Sequence, residues 1–440
     1  MLVDFLRRLY RDRRANVAIT FALAIVPGIF LIGMGMDFAN AIQKRTRLNA
    51  AADAAALSAV TPAMMQQTLS TAQTTATNLF NAEASAISGV NYNAPSISIT
   101  TTNGGLTRNV VVTYTASSVN NFPNVLGQAN WLLSGSSTAT ASVAPNINFY
   151  LLLDNSPSMA IAATTAGINT MVTNTPAQGG CAFDCHESNP AADGLGNPGG
   201  IDNYQLAKNL GVVTRIQNLA AATQSLMSTA ANMEASSNAQ YQMALYTFNN
   251  SGTTTVQPLT SNLTTAANAA GTIDVLEVCK NNWLTCSNNN SDTDTDFNSA
   301  MSQINGIMAN PGTGTSGSTP QEILFLVSDG VDDKIATSCP NPPSAGLSGG
   351  NRCQQPFQTT WCTTIKNRGI MIAVLYTVYY PLPTNAWYNS WVAPFQSQIG
   401  SYLQSCATPG LYFAVTTDQD ISAAMTALFQ MAVATARLSH

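Results

Sequence analysis

Asp154, Ser156 and Ser158 stand at alternate positions directly after the apolar run Phe149-Tyr150-Leu151-Leu152-Leu153. A buried strand that ends in such a turn gathers one carboxylate and two hydroxyls at its carboxyl end. Open α/β sheets bind their ligands at that end. Oxygen-only donors suit a hard cation such as Mg²⁺, which readily keeps some of its waters. A second apolar run, Leu324-Phe325-Leu326-Val327, leads into Ser328-Asp329-Gly330 and puts another carboxylate, Asp329, at another strand end. Between them, Ser291-Asp292-Thr293-Asp294-Thr295-Asp296 precedes a helix expected from Phe297, and offers Thr293 or Thr295 as a further hydroxyl. Asp and Ser also cap ordinary helices. What lifts the first turn above a cap is its pairing with Asp329 in a strand–helix order.

Other chemistries fit less well. Asp292, Asp294 and Asp296 alternate like a calcium loop, but Phe297 and Gln303 stand where an EF-hand needs Gly and Glu. Cys181-Ala182-Phe183-Asp184-Cys185-His186 is one residue longer than the haem-attachment spacing, and a small disulfide loop is expected instead. Zinc needs more neighbouring Cys or His. Only two histidines occur, His186 and the terminal His440, so a His-based nucleophile–base pair has little to draw on. There is no G-x-x-x-x-G-K-[ST] phosphate loop. Met227, Met233 and Met243 read as core packing. A non-enzymatic role is expected.

The elements that must position these oxygens alternate along the chain. Strand-like runs fall at Asn148–Asp154, Gln242–Phe248, Glu322–Ser328, Ile370–Val378 and Leu411–Thr416. Helical patterns lie between them, at about Tyr204–Asn232, Phe297–Met308, Phe357–Asn367 and Gln419–Ala436. That alternation predicts parallel βαβ units, and the continuous apolar runs predict strands covered on both faces. The fold class is α/β, with a doubly wound, mostly parallel sheet. Thr164–Asn203 and Cys339–Arg352 read as inserted loops, and Pro311–Pro320 as a surface loop. Ahead of this region, residues 61–145 read as a helix followed by a small antiparallel sheet, with strands at Ser96–Thr101, Asn109–Ala116 and Ser137–Val143.

Charged residues are 9% of the 440, well below the usual ~25%, while hydrophobic residues are 45%. Residues 1–50 hold eight of the 17 basic and three of the 22 acidic side chains, leaving a net charge of −10 in the rest. An acidic body argues against a nucleic-acid partner. Val17 to Met36 carries no charge over twenty residues, enough at 1.5 Å per residue to span a ~30 Å hydrocarbon core. Five arginines precede it, so the positive-inside rule puts the N-terminus in the cytoplasm and the body on the far side. The run is long for a cleaved signal peptide, and an uncleaved anchor is expected. All eight cysteines lie beyond it, the pattern of an oxidising compartment. The expected pairs are Cys181–Cys185, Cys279–Cys286, Cys339–Cys353 and Cys362–Cys406.

Residues 146–437 resemble a von Willebrand factor type A domain, on the Asp154-x-Ser156-x-Ser158 turn and the Ser328-Asp329-Gly330 strand end. The resemblance implies a metal-ion-dependent adhesion site of Asp154, Ser156, Ser158, Thr295 and Asp329. Thr295 rather than Thr293 has the family's spacing to Ala300 and Met301. In such sites the hydroxyls meet the metal, the aspartates act through water, and an open position takes a carboxylate from a partner. The cofactor implied is Mg²⁺, or another divalent cation such as Ca²⁺ or Mn²⁺. Residues 14–60 resemble the TadE/TadG-like family of tight-adherence (Flp) pilus assembly, through RRANVAITFALAIVPG and LNAAADAAALSA. The pilin-type Gly and Glu of a processing site are absent near Asn16–Thr20. The organisation expected is an anchor over 1–60, a helix-plus-β stalk over 61–145 and a type A-like domain over 146–440. The function implied is an inner-membrane-anchored pilus assembly or adhesion factor with a periplasmic body. It would bind an acidic side chain of a protein partner, such as a pilus component. The alternative is a structural tether with a non-functional metal site.

Overall fold

A computed structural model describes residues 15–122, 128–281, 292, 295–335, 343–344, 352–416 and 418–438. It divides the chain into two compact units, Met1–Val143 and Ala144–His440.

The first unit is built on helix α1, Ala15–Ser58, of which Val17–Ser58 is long and apolar enough to cross a membrane. Its two halves differ. Val17, Leu23, Leu31 and Ile32 are exposed, whereas Leu48, Ala52, Ala55 and Ala56 are fully buried. The buried set recurs at three- and four-residue steps and forms one helical face. That face packs with helix α2, Leu69–Ser85, which buries Ala72, Ala76, Phe80 and Ala84. Strands β1 (Val90–Tyr92), β2 (Ser96–Thr102), β3 (Thr107–Val119) and β4 (Asn130–Ser142) form an antiparallel sheet. In it β3 pairs with all three others. The long alanine-rich helix stops at Ser58, and Thr61 and Thr68 cap the short Pro62–Met65 helix and α2. Buried Arg108 donates to the carbonyls of Ala59, Met64 and Gln67, satisfying the chain where α1 has ended.

The second unit carries the expected doubly wound sheet. Its strands are β5 (Ile147–Asp154), β6 (Tyr241–Asn249), β7 (Gly252–Thr260), β8 (Gln321–Ser328), β11 (Met371–Thr377) and β12 (Tyr412–Val415). A separate hairpin pairs β9 (Val331–Ile335) with β10 (Arg352–Pro356). The sheet order is β12-β11-β8-β5-β6-β7, parallel throughout except for the antiparallel edge β7.

Alternate residues of each strand feed opposite cores, as the two-residue period of a strand requires. Phe149, Leu151 and Leu153 join one core with helices α5 (Arg215–Ser237), α6 (Leu263–Ala270) and α11 (Ile421–Leu438). Tyr150 and Leu152 join the other. There they meet α3 (Thr165–Asn174), α4 (Asn203–Asn209), α7 (Phe297–Ile307), α8 (Thr360–Asn367), α9 (Ala386–Trp391) and α10 (Gln396–Cys406).

Some expectations differ in detail. The helix expected over Tyr204–Asn232 is two helices, α4 and α5. Gly211 takes φ +70° in the break, and Thr214 with Gln217 forms a capping box that restarts the chain. The inserted loop at Thr164–Asn203 contains α3, capped by Thr164 and anchored by buried Ile168 and Met171. Of the Cys339–Arg352 insertion, only Pro343–Ser344 and Arg352 fall within the described residues.

Candidate metal-binding site

The chain leaves β5 toward β6 on one side and returns to β8 on the other, so the strand order reverses between β5 and β8. In open α/β sheets ligands bind in the crevice outside such a switch point. Asp154 ends β5, and Asp329 directly follows β8. Both are fully buried.

Asp154 holds the turn together. Its Oδ1 accepts from the Ser156 amide at 3.0 Å and the Ser156 hydroxyl at 2.6 Å. Its Oδ2 accepts from the Ser328 hydroxyl at 2.6 Å. Ser156 and Ser158 hydroxyls lie 3.0 Å apart. Asp329 Oδ1 accepts from the Val331 amide at 3.2 Å, and its side chain interacts with the Ser158 hydroxyl. Asp154, Ser156, Ser158 and Asp329 therefore form one connected cluster. Thr295 sits just before the Asp296 cap of α7, where its backbone forms a two-way bridge with Asp333. Thr295 and Ser158 line the same cavity of about 600 Å³. Thr293 lies outside the described residues.

Burial, and then the charge of Asp329, push Asp154 up to about 7. Asp329 is also raised, by burial first, against the opposing pull of Ser158, the Val331 amide and Arg215. Two carboxyls in one low-dielectric crevice cannot both ionise cheaply without a counter-charge. One buried oxygen, Asp329 Oδ2, has no hydrogen-bond partner among the described residues. The donor set is thus oxygen-only, anion-rich and under-satisfied, which fits a hard divalent cation. Among the described residues no group of three or more His, Cys, Asp or Glu side chains could hold a metal. A cation here would rest on two carboxylates with hydroxyls and water.

Two participants were not read from the sequence. Ser328 ties Asp154 to β8 and also accepts from the Gly330 amide at 2.9 Å. Arg215, the first residue of α5, is 4% exposed, donates to the Val378 carbonyl at 2.8 Å and acts electrostatically on Asp329. In the lining of the same cavity, Arg352 is 2% exposed and grips Asp333 through two bonds of 2.7 and 2.6 Å. That pair fastens β9 to β10 beside Thr295.

The cysteines depart from expectation at one pair. Cys362 and Cys406 are bridged, tying α8 to α10. Cys279 and Cys353 are disulfide-bonded, and their expected partners Cys286 and Cys339 lie outside the described residues. Cys181 and Cys185 are free thiols, not the expected bridge. Their side chains share a hydrogen bond, which lowers Cys181 to about 7. The C-x-x-x-C spacing brings the sulfurs together, and the bond between them is a thiol contact.

A helix long and apolar enough to cross a membrane that feeds a small helix-plus-sheet unit, followed by a doubly wound domain with its oxygen cluster at the switch point, defines a two-unit α/β class. Residues 15–66 match the family described as "Putative Flp pilus-assembly TadE/G-like", so the N-terminal segment is TadE/TadG-like. The solved structure "Crystal Structure of the SpRpn10 VWA domain" is similar over 65% of this chain and 95% of that one, at 8% identity and a TM-score of 0.32. No curated protein matches the chain.

Proposed function

We propose that this chain is a membrane-anchored pilus assembly or adhesion factor that captures a protein partner through a divalent cation. Asp154, Ser156, Ser158, Thr295 and Asp329 would hold the ion as a metal-ion-dependent adhesion site. The observation that carries this reading is the pair of fully buried carboxylates, Asp154 and Asp329, converging on the Ser156 and Ser158 hydroxyls, with Asp329 Oδ2 left without a close hydrogen-bond partner among the described residues. Leaving such a group unpaired is costly, and a cation beside it relieves both that cost and the repulsion from Asp154. Bound Mg²⁺, or Ca²⁺ or Mn²⁺ in its place, supplies an electrophilic open position for a partner's acidic side chain. The chain's own part is to fix the hydroxyls. Asp154 accepts from Ser156, Ser158 bridges toward Asp329, and the Asp333 backbone steadies Thr295.

In this reading residues 17–36 cross the bacterial inner membrane. The arginine-rich N-terminus is cytoplasmic, and the second unit is periplasmic. The TadE/TadG-like match over residues 15–66 supports a partner among pilus assembly components. The test is capture of those components by the tagged full chain with and without EDTA. Capture that requires a divalent ion and is lost in Asp154→Ala supports the reading. Capture that survives both changes sinks it.

One observation favours a second reading. The buried Arg215 guanidinium already offsets the Asp329 charge, so the crevice has an internal counter-charge. The domain would then be a tether whose contacts are made by residues 15–143. A chain truncated near Pro145 that still supports pilus assembly would favour this alternative.

A further inference from the structure

The hairpin of β3 and β4 descends along α1 into its apolar half. Tyr114 Oη donates to Asn49 Oδ1 at 2.6 Å, and Lys44 Nζ donates to Ser118 Oγ at 3.1 Å. Lower down, Trp131 packs edge-on against Phe38 with ring centroids 5.8 Å apart. Asp37, 4% exposed, accepts from the backbone amides of Asn121 and Phe122 at 2.8 and 3.1 Å. At the bottom the Phe122 ring lies on Gly33, where a Cβ would come within 3.2 Å of it. Gly33 is three residues inside the charge-free segment ending at Met36, about 4.5 Å at the helical rise. This contact therefore takes the hairpin past the end of the span.

Among the described residues the same end of the hairpin is apolar and exposed. Leu132 is 82% exposed, Val119 41% and Phe122 40%. On α1 at the same level Met36 and Phe38 are each 52% exposed. By the two-residue period of a strand, Leu132 and Val119 lie on the hairpin face away from α1, while Trp131 and the Phe122 ring face it, so apolar side chains flank both faces at this level. Asp37 is the one charge at this level of the helix, and the two hairpin amides satisfy it. Aromatic rings gathered at the end of a span are what an interfacial belt requires.

Resting on the reading of α1 as a membrane anchor, we propose that the β3–β4 hairpin is a second membrane contact, with Phe122, Trp131 and Leu132 seated in the lipid interface. The occupant of this surface is the headgroup–acyl boundary of the bilayer that α1 crosses, because the Trp131 and Phe122 rings adjoin that helix at Phe38 and Gly33. Its consequence is local. With Asp37 bonded to the hairpin, the first unit cannot pivot freely about the point where α1 leaves the membrane.

The test uses the full chain reconstituted in phosphatidylcholine vesicles, with acyl chains either unmodified or brominated near the headgroup. Flotation with the vesicles is measured on the same samples. Brominated lipid is expected to quench part of the tryptophan emission of the wild type, and Trp131→Phe is expected to lose that quenching. Leu132→Asp, which removes only an exposed side chain, is expected to reduce it. Equal quenching in wild type and Trp131→Phe, or none in a chain that floats, overturns the hairpin contact and leaves the anchor standing. A second protein copy covering the patch would give that unquenched result. A chain that fails to float overturns the anchor reading and this proposal with it.

Discussion

Ser328 Oγ donates to Asp154 Oδ2 at 2.6 Å and so joins the carboxyl ends of two neighbouring parallel strands. The same oxygen accepts from the Gly330 amide, which turns the chain away from β8. Ser328→Ala is expected to strand a buried carboxylate oxygen and a buried amide together. The expected cost is about 1–3 kcal/mol of stability, read by urea denaturation. A change indistinguishable from zero would mean the hydroxyl is not structural.

Gly330 should be less tolerant still. Its φ is +76°, and a Cβ there would lie 2.5 Å from Ile399 Cγ2 and 2.7 Å from Leu403 Cδ1. Gly330→Ala combines left-handed strain with overpacking and is expected to cost roughly 2–5 kcal/mol. The same titration checks it, and a loss smaller than that of Ser328→Ala would contradict the packing described for this turn.

Those two residues bear on what could be read from the chain. Asp154, Ser156, Ser158 and Asp329 were legible because each follows an unbroken apolar run, so strand ends and turns announced themselves. Arg215 was not. Its contact with the site depends on how α5 docks, and nothing local to the start of that helix signals it. β7 was also missed, because Gly252–Thr260 is threonine-rich and half exposed, the composition of a loop as much as of an edge strand. β9 carries the charged run Asp332-Asp333-Lys334, and nothing local in the sequence marks it as a strand. Asp332 and Asp333 are buried, and Arg352, nineteen residues on from Asp333, pairs with it. The free Cys181 and Cys185 show the same limit: spacing predicts proximity and cannot by itself predict the bond.

Outside the oxygen cluster burial raises Asp184, Glu187, Glu322 and Asp332. Asp184 is raised to about 8, with Cys181 adding to burial. Glu187 is raised to about 8, with Asp193 adding to burial. Glu322 is raised to about 7 despite bonds from Asn148 and Tyr150. Each folded-state value lies above the ordinary carboxyl range near 4. The fold therefore holds protons that the unfolded chain releases, and these groups make stability fall as pH rises from about 4 to about 8. Asp202, which is lowered, acts in the opposite sense only at more acidic pH. The melting temperature in EDTA is expected to be higher at pH 5 than at pH 8, and the reverse order would contradict these assignments.

The Cys362–Cys406 bridge closes a sequence separation of 44 residues. Chain-entropy arguments give such a loop about 4 kcal/mol, with measured values commonly 2–4 kcal/mol. Replacing both cysteines by alanine should lower unfolding stability by that order. Replacing Cys181, which makes no bridge, should cost less. Equal losses in the two variants would argue that the bridge adds nothing beyond side-chain packing.

The central claim is that two buried aspartates and neighbouring hydroxyls accept one divalent ion. Isothermal titration of MgCl₂ into the EDTA-treated, desalted full chain in detergent tests it most directly, with Asp154→Ala and Asp329→Ala as controls of retained secondary structure. The account predicts saturable binding near one ion per chain in the wild type and its loss in both variants. Wild-type protein that takes up no divalent cation, or variants that bind as the wild type does, would contradict it.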